Sequence, residues 1–281
     1  MKQGHNRSQR VKIAEETLHI LEQGSYRNAQ GTKIILSQEL AYAIQHSVLY
    51  RPDDLGQQVI TKQGNEVRAV IEVTSESSLE VAERLVVTEN RLDTVCLNFA
   101  SAKNPGGGFL GGSQAQEESL ARSSGLYPCI VQMQEMYSYN RQLKTCFYSD
   151  YMIYSPRVPV IRNHADQLLE TPYLVSFITA PAVNAGIVRE REPENAARIR
   201  DVMKERIRKV LRAAVLHENR TIILGAYGCG VFRKRAEDVA DYFAEVLLEE
   251  KLANHFERIV FAVYDKSARQ ENLRAFKERF A

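Results

Sequence analysis

The segment that decides the fold reads Leu97-Asn98-Phe99-Ala100-Ser101-Ala102-Lys103-Asn104-Pro105-Gly106-Gly107-Gly108. It begins inside a short apolar run, Thr94 to Phe99, which is typical of a strand buried on both faces. The three glycines that follow the run permit positive φ angles and let backbone NH groups come close to a ligand. The segment therefore predicts a buried strand that ends in a loop able to bind a small molecule.

A second glycine loop follows another short apolar run, Thr221 to Leu224, and reads Gly225-Ala226-Tyr227-Gly228-Cys229-Gly230-Val231-Phe232. A lone glycine triplet most often makes a tight turn, but two such loops in equivalent positions favour a binding site. Neither loop has the Gly-Lys-Ser/Thr of a Walker motif or the G-x-G-x-x-G spacing of a dinucleotide fold. In a parallel sheet both loops lie at the carboxyl edge, so we expect them to face one ligand from opposite sides.

Strands alternate with helices along the rest of the chain, which predicts a mostly parallel sheet covered on both sides. Two further apolar runs predict strands at Tyr173 to Thr179 and Arg258 to Tyr264. Helical patterns cover Gln114 to Ser124, Ala196 to Glu218, Ala236 to Lys251 and Ala268 to Phe280.

The N-terminal third has the pattern of a scaffold. A helix is predicted over Ser8 to Gln23, where Gly24 stops it. Further predicted elements are strands at Lys33 to Leu36 and Val67 to Val73, and helices at Glu39 to His46 and Ser78 to Thr88. We expect residues 1–281 to form a single domain in which 1–90 is an N-terminal extension and scaffold.

A tyrosine-rich segment at 127–172 has no regular pattern. Two interpretations stay open for it: a functional insertion that frames a pocket, or an ordinary packed surface excursion.

Composition excludes several classes of protein. Hydrophobic residues make up 44% and charged residues 26%, which is ordinary for a globular domain. No apolar run approaches the roughly 20 residues of a membrane span, and the polar N-terminus predicts no signal peptide and a cytoplasmic location. A net charge of +2 is too small for general nucleic-acid binding. The four cysteines lack metal-ligand spacing, so we expect reduced thiols and no metal.

Two adjacent carboxylates, Glu117 and Glu118, follow the first loop in the first turns of its helix. Adjacent helical residues point about 100° apart, so the pair cannot clamp one bond from opposite sides, and one of them must move the proton alone. The alternative is a pair of helix-start acids that only complement the helix dipole. Cys229 is a weak candidate nucleophile, because a tight loop needs a small residue and no histidine is near in sequence.

The residues of the two loops and the glutamate pair resemble a known family. Asn104-Pro105-Gly106-Gly107-Gly108, followed after seven residues by Gln116-Glu117-Glu118, resembles the signature of poly(ADP-ribose) glycohydrolases. The residues around it and the second loop are similar to the shorter bacterial-type branch, and the similarity runs from about residue 10 to the C-terminus. The resemblance implies an α/β macrodomain-like fold: a mixed, largely parallel central sheet flanked by helices, with an N-terminal helical extension.

The same resemblance implies roles for individual residues. Glu118 would be the catalytic acid and Glu117 would hold ribose hydroxyls. Substrate-binding residues would be Asn104, Gly106, Gly107, Gly108 and Gln116 in the first loop, and Gly228, Cys229, Gly230, Val231 and Phe232 in the second. Tyr227 departs from the tryptophan expected there, a change that should alter packing more than chemistry.

The implied function is hydrolysis of ribose–ribose O-glycosidic bonds, with release of ADP-ribose from chain ends and no cofactor. The implied partner is an ADP-ribose polymer or an ADP-ribosylated protein, bound by a monomer that has no membrane contact. Two alternatives stay open, a mono-ADP-ribosyl hydrolase and a non-catalytic ADP-ribose-binding macrodomain.

Overall fold

The computed structural model describes residues 5–56 and 68–280. Its strands are β1 (Ser25–Arg27), β2 (Lys33–Ile35), β3 (Val48–Tyr50), β4 (Val70–Thr74), β5 (Thr94–Ala100), β6 (Met152–Arg162), β7 (Leu168–Pro181), β8 (Thr221–Leu224) and β9 (Arg258–Ala262). Its α-helices are α1 (Arg7–Gln23), α2 (Ser37–Gln45), α3 (Ser78–Glu83), α4 (Gln116–Ser123), α5 (Leu126–Val131), α6 (Gln134–Gln142), α7 (Ala185–Arg191), α8 (Ile199–Leu216), α9 (Ala236–Ala244) and α10 (Glu271–Phe280).

The central sheet has the strand order β3-β6-β7-β5-β8-β9-β4 within these ranges. Strands β7, β5, β8, β9 and β4 are parallel, whereas β6 is antiparallel to β7 and β3 is antiparallel to β6. Parallel neighbours need crossover connections, and helices supply them here. The predicted mixed, largely parallel sheet flanked by helices is confirmed.

Two apolar layers cover the two faces of this sheet. Alternate residues of β5 point into different layers, because side chains alternate across a strand. Val95 and Leu97 join the layer that includes side chains of α8, α9 and α10, and Cys96 joins the layer that includes side chains of α3 and α5. No helix in 5–56 or 68–280 is long and apolar enough to cross a membrane.

Helix α1 has well-formed ends. Asn6 and Gln9 form a capping box at its start, and Gly24 ends it in the left-handed region at φ 65°. The rest of the segment 1–90 contributes both edge strands, β3 and β4, to the central sheet. Val67, the first residue of the predicted strand Val67 to Val73, lies outside the described residues.

The tyrosine-rich segment contains β6, which the sequence pattern did not predict. Prolines at 156 and 159 disfavour an inner strand because they cannot donate to the ladder. The structure accommodates Pro156 with a register shift between Ser155 and Val158, where Arg157 takes φ 48°, whereas Pro159 is paired with Leu174. Part of this segment, β6 and the start of β7, therefore belongs to the central sheet.

Candidate active site

The first glycine loop lies directly against the two predicted carboxylates. Gly106 and Gly107 have φ angles of 71° and 59°, in the region that favours glycine. A Cβ on Gly107 would overlap Glu118 Oε1 and lie 3.1 Å from Glu117 Oε2. Only glycine therefore lets the loop backbone come this close to both carboxyl groups.

Glu117 is almost fully buried, with 3% of its surface exposed. Its Oε2 accepts a hydrogen bond from the Ser101 NH at 2.7 Å, and its Oε1 accepts one from Asn98 Nδ2 at 3.4 Å. Burial raises the pKa of Glu117 to about 8; the Ser101 NH opposes the rise and the charge of Glu118 adds to it. Glu117 is therefore mostly protonated at neutral pH.

Glu118 is half-buried and faces the loop. Its Oε1 accepts a hydrogen bond from the Gly108 NH at 3.0 Å. Its Oε2 has no hydrogen-bond partner among residues 5–56 and 68–280. The protein thus fixes one oxygen of Glu118 and leaves the other free for a ligand.

Gln116, predicted to bind substrate, makes its side-chain contacts with the protein. Its Oε1 accepts a hydrogen bond from the Phe99 NH at 2.8 Å, and its Nε2 donates to Leu97 O at 2.7 Å and to Ser78 Oγ at 3.1 Å. The amide thereby pairs with the backbone of β5 as a neighbouring strand would. It fixes the first turn of α4, and with it the direction of both glutamates.

Asn104 shapes the first loop through its backbone. Its NH donates to Ser101 Oγ at 3.2 Å and its carbonyl accepts from the Gly107 NH at 3.0 Å. The residue itself is exposed at the rim.

The second loop presents free backbone donors. The NH groups of Gly228, Gly230, Val231 and Phe232 have no hydrogen-bond partner in the described part of the chain. Gly228 has φ 84°, and Val231 is 81% exposed. Successive free NH groups of this kind form a concavity that binds anions. The loop can hold a phosphate or diphosphate.

Sheet topology brings the two loops together as predicted. Strand β5 pairs in parallel with β8, so both loops leave the same edge of the sheet from neighbouring strands. Across the gap the rings of Phe99 and Tyr227 lie 5.6 Å apart, and a Cβ on Gly225 would lie 3.0 Å from the ring of Phe99. The loops border one cleft.

The surroundings of Tyr227 and Cys229 give both residues a structural role. Tyr227 is fully buried, and its hydroxyl donates to Ala180 O at 2.9 Å, a bond that suits tyrosine at this position. Burial raises the pKa of the Cys229 thiol to about 12. A neutral thiol is a poor nucleophile, so the structure gives no support to thiol chemistry.

Sequence reasoning missed two contributors to the site. Tyr148, in the tyrosine-rich segment, lies between the loops, with its ring centroid 6.1 Å from that of Phe232 and 6.0 Å from Lys103 Nζ. Its left-handed φ of 56° has no sequence signal, because tyrosine rarely adopts it. Helix α1 is the second, since Arg7 Nε and Arg10 Nε donate to the carbonyls of Gly111 and Gly112, each at 2.7 Å.

The fold and the cleft define a macrodomain-like α/β domain that joins an anion-binding loop to a carboxyl pair. Residues 14–163 match the family model described as "Microbial-type PARG, catalytic domain". The chain belongs to this family, the microbial-type poly(ADP-ribose) glycohydrolases. The predicted family and the predicted class of enzyme, a glycosidase acting on poly(ADP-ribose), are confirmed.

Solved structures of bacterial members are similar over most of the chain. The poly(ADP-ribose) glycohydrolase of Thermomonospora curvata bound to the inhibitor ADP-HPD is 41% identical, with a TM-score of 0.90 over 96% of this chain and 99% of that one. The Deinococcus radiodurans enzyme in complex with ADP-ribose is 44% identical, with a TM-score of 0.80 over 85% of this chain and 96% of that one. No curated protein sequence matches the chain.

Proposed function

We propose that the chain removes ADP-ribose from the ends of ADP-ribose polymers, with Glu118 as the catalytic acid. The observation that carries this proposal is the arrangement of Glu118, which has one oxygen fixed by the Gly108 NH and the other free at the cleft. The relatives support it, since the Thermomonospora curvata enzyme binds the inhibitor ADP-HPD and the Deinococcus radiodurans enzyme binds ADP-ribose.

In the proposed reaction, the protonated Glu118 donates its proton to the oxygen of the leaving ribose. The glycosidic C–O bond breaks as the proton arrives, and positive charge develops on the anomeric carbon. The resulting carboxylate then takes a proton from the water that attacks this carbon, which regenerates the acid. Each turnover consumes one water and leaves Glu118 unchanged.

Glu117 supports this cycle because it is mostly protonated. A neutral neighbour does not oppose the negative charge that Glu118 acquires when it gives up its proton. The small exposed part of Glu117 can hold a ribose hydroxyl, as the family resemblance implies. Gly106, Gly107 and Gly108 would border that ribose, and the second loop would hold the diphosphate, with Phe232 packed on the ligand.

Attack at chain ends is supported by helix α1. Arg7 and Arg10 bind the carbonyls of Gly111 and Gly112, and a Cβ on Gly112 would overlap the backbone of α1. The helix thus packs against the first loop at Gly111 and Gly112. We propose that this wall lets the cleft accept a terminal ribose and excludes a polymer that continues in both directions.

To test this proposal, the enzyme is incubated separately with poly-ADP-ribosylated and mono-ADP-ribosylated substrate protein. Free ADP-ribose and polymer length are measured over time. Chain-end attack gives ADP-ribose from the first time points and no free oligomers, whereas internal cutting gives oligomers early. Glu118→Gln should keep ADP-ribose binding and lose hydrolysis by roughly 10²–10⁴-fold. Glu278→Gln, at an exposed position on α10, is the matched control.

Three outcomes would count against the proposal. Full turnover by Glu118→Gln would show that Glu118 is not the catalytic acid. Release from mono-ADP-ribosylated protein alone would favour a mono-ADP-ribosyl hydrolase, and binding without release would favour a reader of ADP-ribose. The monomeric state and the cytoplasmic location stay predictions.

A further inference from the structure

A buried lysine lies behind the second glycine loop. Lys234 is 6% exposed, and its Nζ donates to the carbonyl of Val183 at 2.5 Å. Its own NH donates to Gly228 O at 3.3 Å, so the residue links the loop to the segment that follows β7. A Cβ on Gly228 would lie only 2.6 Å from Nζ. The amine therefore occupies the place that a side chain at Gly228 would fill.

No carboxylate within 5–56 or 68–280 forms an ion pair with Lys234. The charged and titratable groups that face it are Arg206 from α8, Arg189 from α7 and the Cys229 thiol from the loop. At the start of α9, Glu237 and Asp238 act on Cys229. Burial and the two arginines thus disfavour a positive charge on Lys234.

Burial, and then the charge of Arg206, hold the pKa of Lys234 well below its usual range. An ammonium group has three donors, and this one has a single acceptor, Val183 O, among the described residues. A buried cation with so few partners is costly unless an anion compensates it. The free NH groups of the second loop mark the place where such an anion would bind.

We propose that Lys234 is a positioning residue for the diphosphate, which supports the second glycine loop from behind and takes up a proton when the anion binds. This inference rests on the proposed function, since it takes the ligand of the loop to be the diphosphate of ADP-ribose. In the step itself, the lone pair of Nζ accepts one proton from solvent and no other bond changes. The new charge then attracts the diphosphate across the Gly228 backbone.

The test measures heats of ADP-ribose binding in two buffers of different ionisation enthalpy, at about pH 8. The wild-type protein should take up protons on binding. Lys234→Met keeps the approximate length of the side chain and removes the amine. The variant should bind ADP-ribose about tenfold more weakly than the wild type. It should also take up fewer protons on binding, because the proton that Lys234 accepts is missing. With polymer as substrate, KM should rise more than kcat falls. Lys277→Met, at an exposed lysine of α10, should match the wild type.

The outcomes separate this inference from the proposed function. If the wild type hydrolyses polymer but takes up no proton on binding ADP-ribose, Lys234 is not protonated by diphosphate binding and the inference is wrong. This measurement uses the wild-type protein alone. Equal affinity and equal uptake in Lys234→Met would overturn the inference in the same way. Failure of the wild type to release ADP-ribose from polymer would instead contradict the proposed function. Thermal unfolding of Lys234→Met shows whether weaker binding reflects a damaged fold.

Discussion

The protonation of Glu117 gives a quantitative prediction about stability. Its pKa rises from 4.5 to about 8 on folding, because folding buries the carboxyl group. Below pH 4.5 the group is protonated in both states and costs nothing. Between pH 4.5 and about 8, folding takes up a proton. The free energy of unfolding therefore falls as pH rises, by about 1.4 kcal/mol per pH unit. Above the folded pKa the group is ionised in both states and the loss is complete.

Glu117→Gln removes this titration and keeps the shape of the side chain. The difference in free energy of unfolding, variant minus wild type, should increase from pH 5 to pH 8 by several kcal/mol, with a ceiling of about 5 kcal/mol set by the shift from 4.5 to about 8. Urea denaturation of both proteins across this range measures the difference. The exposed Glu278→Gln variant should show little change.

A difference that stays constant from pH 5 to pH 8 would refute the reasoning. It would mean that Glu117 is ionised in the folded protein, stabilised by the Ser101 NH and its other donors. In that case Glu117 could not act as the neutral neighbour of Glu118, and its charge would oppose the negative charge that Glu118 acquires when it gives up its proton.

Three further changes test the site. Gly107→Ala should abolish most activity, because its Cβ would overlap Glu118 at a backbone φ of 59°; wild-type turnover would contradict this. Cys229→Ala should keep most activity, since burial keeps the thiol neutral, and its inactivity would revive a thiol mechanism. Tyr227→Phe should lower the free energy of unfolding by about 1–3 kcal/mol through loss of the bond to Ala180 O, which chemical denaturation measures.

The local features of the chain could be predicted from sequence because they depend on neighbouring residues. The apolar run of β5, the two glycine loops and the helix that begins near Gln116 are patterns within about ten residues. The alternation of strands and helices then places both loops at one sheet edge, since consecutive parallel strands point the same way. These local patterns were sufficient to predict the family and to place both loops at the same edge of the sheet.

Contacts between distant segments needed the tertiary structure. The pairing of β6 with β7 has a bulge at Pro156 and keeps Pro159 opposite Leu174, and no local pattern predicts that arrangement. The contact of Arg7 and Arg10 with the first loop joins residues about a hundred positions apart.

The charge states of the site residues also depended on tertiary structure. Sequence placed Glu117 and Glu118 side by side at a helix start, where the dipole favours ionisation of both. The fold buries one and leaves the other half-exposed, and the pKa of Glu117 follows from that burial. Sequence thus determined the positions of the two glycine loops and of the glutamate pair. Only the packing around them decided the protonation of Glu117, because desolvation depends on every segment that closes over a group.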